Sequence, residues 1–550
     1  MNYLLIFFSV VIIGFSSCQN DSVVINDRVV VAVAEDIESL NPLYSFSGTE
    51  NNITELLFLS LVQHRWDNSA SRILNYPMIA KSWNWNSDST ELTLDLRDDI
   101  FWTDKNILTA EDIIYSFDLY SDPEVQSRLY GTFENFYTEE DGHINIQRSF
   151  QIISQFKLVI KFLPASAPDL FDIDIPILPK HIFEKIKRSN LPTSEINFQP
   201  VTDGPFKLKN WDRNSAIILT ADSSSFLYNS KSISELIFKI IPDYNGRINQ
   251  LRSGEVNLME DVKSDDALKL KNTTGFAIGT IKGRQYDFIG LSNIDNEEYN
   301  RTGKIKPHFL FGNKEIRKAL AMAVNRQEIL NEFLSEFGQL AYSPVTNIFN
   351  TANDSSLSPY KYNLAGAKEL LSEQGWKDSD NDGILEKNGV EFSFKLFVPS
   401  GNPLREFAGT IIKNNLREVG IEVEIQTMEL GVFIENVMTR KIDAFMAGWS
   451  VPVPINLKPY WYSDLVESPL NIVGYSNPLA DEILNKLEQR LSENNYFQML
   501  QDFEKIMIED EPVIFLYWID NIVVYNSNIK NITVDPLGAL QYCWEWNIEK

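Results

Sequence analysis

The side chains of this chain that could do chemistry are scattered. His64, His143, His181 and His308 stand far apart, and none belongs to an H-E-x-x-H helix or neighbours a C-x-x-C pair, so no zinc set is spelled out. No G-x-S-x-G elbow exposes a nucleophilic serine and no G-x-x-x-x-G-K-[ST] loop cradles phosphate. GFAIGTIKG, Gly275 to Gly283, spaces its glycines in a way that matches no phosphate cradle and reads as strand and turn. Carboxylate pairs such as Asp98–Asp99 and Glu139–Glu140 fit solvated faces better than an acid/base couple. One pattern looks like a metal loop. DSDNDG sets Asp378, Asp380 and Asp382 at alternate positions before Gly383, as an EF-hand loop does, but Gly389 stands where the closing bidentate Glu belongs. Asx turns and a glycine between a helix ending near Trp376 and the strand EFSFKLFV, Glu391 to Val398, account for the same residues. No cofactor, resident metal or catalytic activity is expected.

Binding is the remaining chemistry, and AGWSVPVPINLKPYW, Ala447 to Trp461, is where it concentrates. The apolar run IDAFMAGW, Ile442 to Trp449, reads as a strand that stops at a segment whose Pro452, Pro454 and Pro459 cannot continue a ladder. Either Trp449 plugs the core, or the strand ends at a cleft and presents the indole to a ligand.

The elements that would position such a site alternate along the chain. In ELTLDLRD, Leu92, Leu94 and Leu96 face one way and Thr93, Asp95 and Arg97 the other, as in a half-buried strand. Thr109 with Asp112, and Asn325 with Glu328, are helix-start signals. The run from Leu404 to Val419 predicts a helix closed by Gly420, followed by the strand IEVEI, Ile421 to Ile425. Asn477 and Pro478 open another helix, with Leu479, Ile483, Leu487 and Leu491 in register. Interleaving of this kind means α/β.

At 550 residues the chain exceeds one ordinary core and predicts two or three domains. With 49 basic against 76 acidic residues the formal charge is −27, which repels phosphate backbones and argues against a nucleic-acid partner. Leu4 to Ile13 is apolar but far short of the about 20 residues a spanning helix needs, and GFSSCQN follows it, so the N-terminus reads as a secretory signal. The stretch resembles a bacterial lipobox, which implies that Cys18 is acylated and becomes the first mature residue; MNY lacks a Lys or Arg, and Phe15 replaces the preferred Leu. An ordinary signal peptide with an incidental cysteine is the other reading. Residues 1–18 are then signal peptide and 19–28 a tether, while Cys543, beside Trp544 and Trp546, is a packed apolar residue.

Six blocks in order carry a wider resemblance: Ile79 to Phe117, TDGPFKLKNW (Thr202 to Trp211), LRSGEVNLME (Leu251 to Glu260), NKEIRKALAMAVNRQEI (Asn313 to Ile329), GYSNPLADEIL (Gly474 to Leu484) and EDEPVIFLYW (Glu509 to Trp518). They resemble the family 5 solute-binding proteins of ABC importers, the peptide- and nickel-binding family. The resemblance implies a two-lobed periplasmic-binding-protein-like fold (type II, cluster C-like) with an extra subdomain in the first lobe. By analogy 29–61, 201–285 and 515–550 form lobe 1, 62–200 the inserted subdomain and 286–514 lobe 2. The chain would cross between lobes near Gly290 to Asn293 and near Tyr517 to Asp520, which would form the hinge of an open–closed equilibrium.

The same resemblance implies a non-catalytic, monomeric binding protein, anchored to a membrane, facing the periplasm or exterior, and delivering a peptide or peptide-like solute to permease subunits. One cleft wall would be NPLYSFSGT, Asn41 to Thr49, with Tyr44, Ser47, Gly48 and Thr49; the other would carry Gly448, Trp449 and Ser450. Peptide-binding members commonly place an Asp soon after this Trp to pair a ligand ammonium. Here Ser450 to Asn456 contains no carboxylate. A ligand without a free amine would suit such a cleft: a blocked or cyclic peptide, an oligosaccharide stacking on Trp449, Tyr460 and Trp461, or a small chelate. Alternatively, Asp464 or Glu467 reaches in from the following loop. A secreted hydrolase on this scaffold, or a signalling or chaperone-like binding protein without a transporter, are the readings from other classes.

Overall fold

The computed structural model describes residues 27–549 apart from 165 and 350–359. Cys18 and the signal segment lie outside the described residues. An eleven-stranded mixed sheet runs through the molecule in the order Glu422–Met428, Ser393–Pro399, Ala444–Ser450, Phe276–Leu291, Val513–Asn526, Leu258–Met259, Arg28–Val33, Glu235–Ile240, Ala216–Ala221 and Phe206–Asp212, with Gly338–Leu340 also pairing Val513–Asn526. Two long antiparallel strands, Phe276–Leu291 and Val513–Asn526, lie at its centre and pass from one half to the other. They are the two crossings of the two-lobed arrangement.

The two segments expected to cross differ in their pairing. The register of the central pair breaks between Ile281 and Gln285, so Lys282, Gly283 and Arg284 bulge opposite Asp520. Gly283 takes φ +65, and its carbonyl accepts from Thr346 Oγ1 at 2.7 Å. Asp520 belongs to the expected segment Tyr517–Asp520. Gly290 lies instead in regular pairing with Val513 and Phe445. Its missing side chain makes room for the Phe445 ring. Close approach of a neighbour, rather than a bend, explains that glycine.

Local signals translate into elements with small shifts. Leu92, Leu94 and Leu96 are fully buried on strand Glu91–Leu96, which sits in a separate four-stranded sheet with Ala80–Trp85, Lys157–Lys161 and Phe150–Ser154. Thr109 and Asp112 close a capping box ahead of helix Ala110–Ser121. The helix Pro403–Glu418 ends before Gly420 at φ +82. The helix opened by Asn477 stops at Leu487, short of Leu491, and its buried face is Ala480 and Leu484 while Leu479 is exposed. Ile483 and Leu487 pack at the margin of the same core, so two of the four expected apolar positions face it. The four-stranded sheet and the hairpin Val62–Asp67/Arg72–Pro77 share one hydrophobic core with the first half of the large sheet. The other half packs two cores, one on each face.

Candidate ligand-binding cleft

Strand Ala444–Ser450 alternates between those two cores. Ala444 and Met446 face the one covered by helix Pro403–Glu418; Phe445 and Ala447 face the other. Trp449 continues the second series and is half-buried, with Phe288 stacked at 6.4 Å and Tyr460 meeting it edge-on at 5.1 Å. Burial raises the Tyr460 hydroxyl above its usual range. Ser450 is exposed at the strand end. Trp449 is thus a ring supported on its inner side and open on its outer one.

Gly448 has a local reason of its own. Directly beneath it Asp287, almost wholly buried, forms a bidentate pair with Arg405 at 2.7 and 2.8 Å. A Cβ on Gly448 would collide with Asp287 Oδ1 and come within 2.6 Å of Arg405 Nη2. Residues 118 positions apart carry no sequence signal that joins them, although a glycine inside a strand is itself a sign of close approach. On the neighbouring strand Phe276–Leu291, Arg284 donates to the carbonyls of Val451 (3.1 Å) and Pro536 (2.7 Å), tying the start of the proline segment to the C-terminal loop.

Two of the expected wall residues stand elsewhere. Trp461 is only 2% exposed, tilted against Phe515 and edge-on to Tyr475. It is core, because helix Lys458–Trp461 turns its last residue inward after the proline segment. Asp464 is exposed on a turn, where N–H groups of Val466 and Glu467 donate to it and hold its carboxyl below the usual range. Glu467 pairs with Lys458 at 3.0 Å. Neither carboxylate is a buried anchor.

The Asn41–Thr49 segment is fixed by a buried carboxylate. Glu50 accepts from the N–H groups of Glu38 (2.7 Å), Ser39 (3.3 Å), Phe46 (2.9 Å) and Ser47 (2.9 Å), and Ser47 caps helix Gly48–Leu57 in return. Tyr44 donates its hydroxyl to Val125 O at 3.2 Å, Gly48 is exposed and Thr49 half-buried. The network presents Phe46, which sequence reasoning missed, at 72% exposure. Among the described residues no hydrogen bond or ring contact joins this segment to Gly448–Ser450; they are two separate surfaces.

Asp378, Asp380 and Asp382 come together with Glu386, their carboxylate oxygens within 4.8 Å of one another. Glu386 joins them from eight residues after Asp378, not from the twelfth position of the loop. All four accept backbone N–H bonds, from Gly383, Asp382, Ile384 and Ser379 respectively. Cys543 is fully buried and burial pushes its thiol up. Among the described residues no helix is long and apolar enough to cross a membrane.

The model of bacterial extracellular solute-binding proteins, family 5, matches residues 75–466. The chain belongs to that family. Among curated relatives, the oligopeptide-binding protein AppA of Bacillus subtilis is 26% identical over 529 residues, 95% of this chain and 92% of the relative. The structure of AppA from Bacillus subtilis in complex with a nonapeptide is 25% identical with a TM-score of 0.73, covering 95% of this chain and 99% of that one. NikZ from Campylobacter jejuni in complex with Ni(L-His) has the same identity, TM-score and coverage. Family membership gives an extracytoplasmic solute-binding role and the two-lobed α/β fold.

Proposed function

We propose that this family 5 protein is the lipid-anchored substrate-binding component of an ABC importer and captures a peptide or peptide-like solute between its lobes. The observation that carries the reading is the likeness over 95% of the chain to an oligopeptide-binding protein whose structure holds a nonapeptide. In this reading Trp449 and Tyr460 form one wall, with the backbone of Gly448 to Ser450 free to pair with an extended ligand as an added strand. The loop carrying Phe46, Ser47, Gly48 and Thr49 forms the other. The bulge at Lys282–Arg284 opposite Asp520 is the hinge between open and closed forms. The protein acts as a monomer, binds rather than catalyses, and is held at a membrane facing the periplasm or exterior through acyl chains on Cys18. Mass spectrometry of the solute that co-purifies, followed by calorimetric titration of synthetic peptides of that length, tests the reading. Recovery of a sugar or a metal chelate, with no peptide bound in the titration, would overturn it.

A further inference from the structure

The two central strands join the halves of the molecule, and a hairpin outside them makes a further connection. Strand Val62–Asp67 belongs to a hairpin that shares its core with the first half, yet its Trp66 packs against a core of the other. The residues just before it stay behind. The His64 carbonyl accepts from the Tyr542 hydroxyl at 2.6 Å, and Arg65 pairs with Glu545 and lies over the Tyr542 ring at 4.5 Å. Trp66 itself meets the Phe349 ring edge-on at 5.3 Å, and Phe349 is backed by Phe497 at 6.2 Å. A polar contact accompanies it. Arg490, between helices Pro478–Leu487 and Glu493–Asp510, donates to the carbonyl of Asp88 at 3.1 Å in the turn between strands Ala80–Trp85 and Glu91–Leu96. Arg72 stands 4.0 Å from Glu493, but both are well exposed and the pair adds little.

This meeting of the halves is not sealed. A cavity of about 530 Å³ opens in it, with Ile73 and Phe171 on the hairpin's side and Ile455, Leu491 and Phe497 opposite. All five are half-buried. A permanent core closes such spaces, whereas a small, wet contact between parts of one chain is of the kind that parts and re-forms. The contact is also tied to the bulge in the central strands. Thr346 Oγ1 donates to the Gly283 carbonyl at 2.7 Å, and Phe349 follows three residues later, so a rotation at the bulge is passed along a short tethered segment to the ring that Trp66 touches.

We propose that this hairpin is a clasp: Trp66, seated on Phe349, favours the closed arrangement of the halves and so retains the solute. Trp66 is a positioning residue that acts through closure. The inference rests on the reading of a solute held between the lobes; a contact made in the closed form alone shifts the equilibrium by its own free energy, and apparent affinity follows the closed fraction. Its test uses the full mature chain with Cys18→Ser, which removes the anchor. Small-angle X-ray scattering of the solute-free protein should give a larger radius of gyration for Trp66→Ala than for wild type, and Trp66→Phe should restore most of the difference. In calorimetric titration with a pool of randomised nonapeptides, Trp66→Ala should bind at least about fivefold more weakly. Trp85→Ala removes another half-buried indole of the inserted subdomain, packed on Phe162 at 5.6 Å; it should lower the melting temperature and leave radius and affinity where they were. An unchanged radius in Trp66→Ala, or the same change in Trp85→Ala, overturns the clasp. If Trp66→Ala fails to fold, Arg490→Ala decides in its place: a larger radius supports the proposal and an unchanged one overturns it. Should the wild type bind no peptide in the pool, the solute reading is what fails, and the radii still decide the clasp.

Discussion

Replacing Trp449 by alanine separates a ligand wall from a core plug, and Trp461, twelve positions on, supplies the internal standard. The open part of the Trp449 indole, on the order of 50 Å² of a ring system that covers about 150–250 Å², is worth about 1.2 kcal/mol at about 25 cal/mol/Å². A stacked contact adds about 0.5–1.5 kcal/mol, so the loss in binding is about 2 kcal/mol, roughly thirtyfold. Trp449→Ala also forfeits packing on Phe288 and Tyr460, but the site is half-buried and the change fills with water. Its cost in stability should fall below the about 3–5 kcal/mol typical of a buried Trp→Ala change. Trp461→Ala, emptying a 2% exposed position against Phe515 and Tyr475, should pay that full cost and leave the affinity of the folded fraction intact. Calorimetric titration with the co-purified solute and denaturant unfolding of both variants give the two numbers. If Trp449→Ala lost about 3–5 kcal/mol of stability with affinity unchanged, the indole would be a plug and the cleft wall would lie elsewhere.

Three further outcomes are expected. Gly448→Ala drives a methyl into the Asp287–Arg405 pair; breaking a buried pair costs about 3–5 kcal/mol, so its urea midpoint should drop far more than that of Ser450→Ala, and equal midpoints would remove the glycine's structural role. Cys18→Ser should move the protein from the membrane fraction to the soluble fraction, and an unchanged distribution would reject the lipid anchor. Because burial raises Glu511, only 4% exposed, to about 8 against the pull of Arg326, Arg317 and Lys318, the folded chain holds this proton to higher pH than the unfolded one, so this group's contribution to stability is lost as pH rises from the ordinary carboxylate range through about 8. Glu511→Gln should flatten that part of the slope of urea midpoint against pH; an unaltered slope would show that Glu511 is ordinary.

Period and punctuation in the sequence carried most of the architecture. Leu92, Leu94 and Leu96 reveal a half-buried strand because a strand's side chains alternate, and Thr109 with Asp112 reveals a helix start because orphan N–H groups need acceptors. What was not legible depended on contacts distant in the chain. Nothing near Trp461 distinguishes it from Trp449; only the turn of helix Lys458–Trp461 onto Phe515 makes one core and the other a half-open face. Glu386 stands eight residues after Asp378, where the EF-hand comparison at the twelfth position does not reach, and only the folded turn brings it to the three aspartates. The exposure of Phe46 is a property of the Glu50 network that holds it, and that network forms only when Glu38 and Ser39 fold back over the helix start.

The strand Val513–Asn526 has a consequence for how the molecule comes into being. It lies between Phe276–Leu291 and Leu258–Met259, so the first half of the great sheet lacks an interior member until almost the whole chain has been made. Arg65 likewise waits for Glu545, its partner 480 positions away. Pairings this remote in sequence close slowly, since the entropy of a long loop is lost before the contacts form. Under the export proposed for this protein, such lateness is useful. A nascent chain unable to complete its N-terminal half before its C-terminus emerges stays extended enough to be threaded across a membrane, and this strand, the last of the large sheet to be made, locks both halves afterwards.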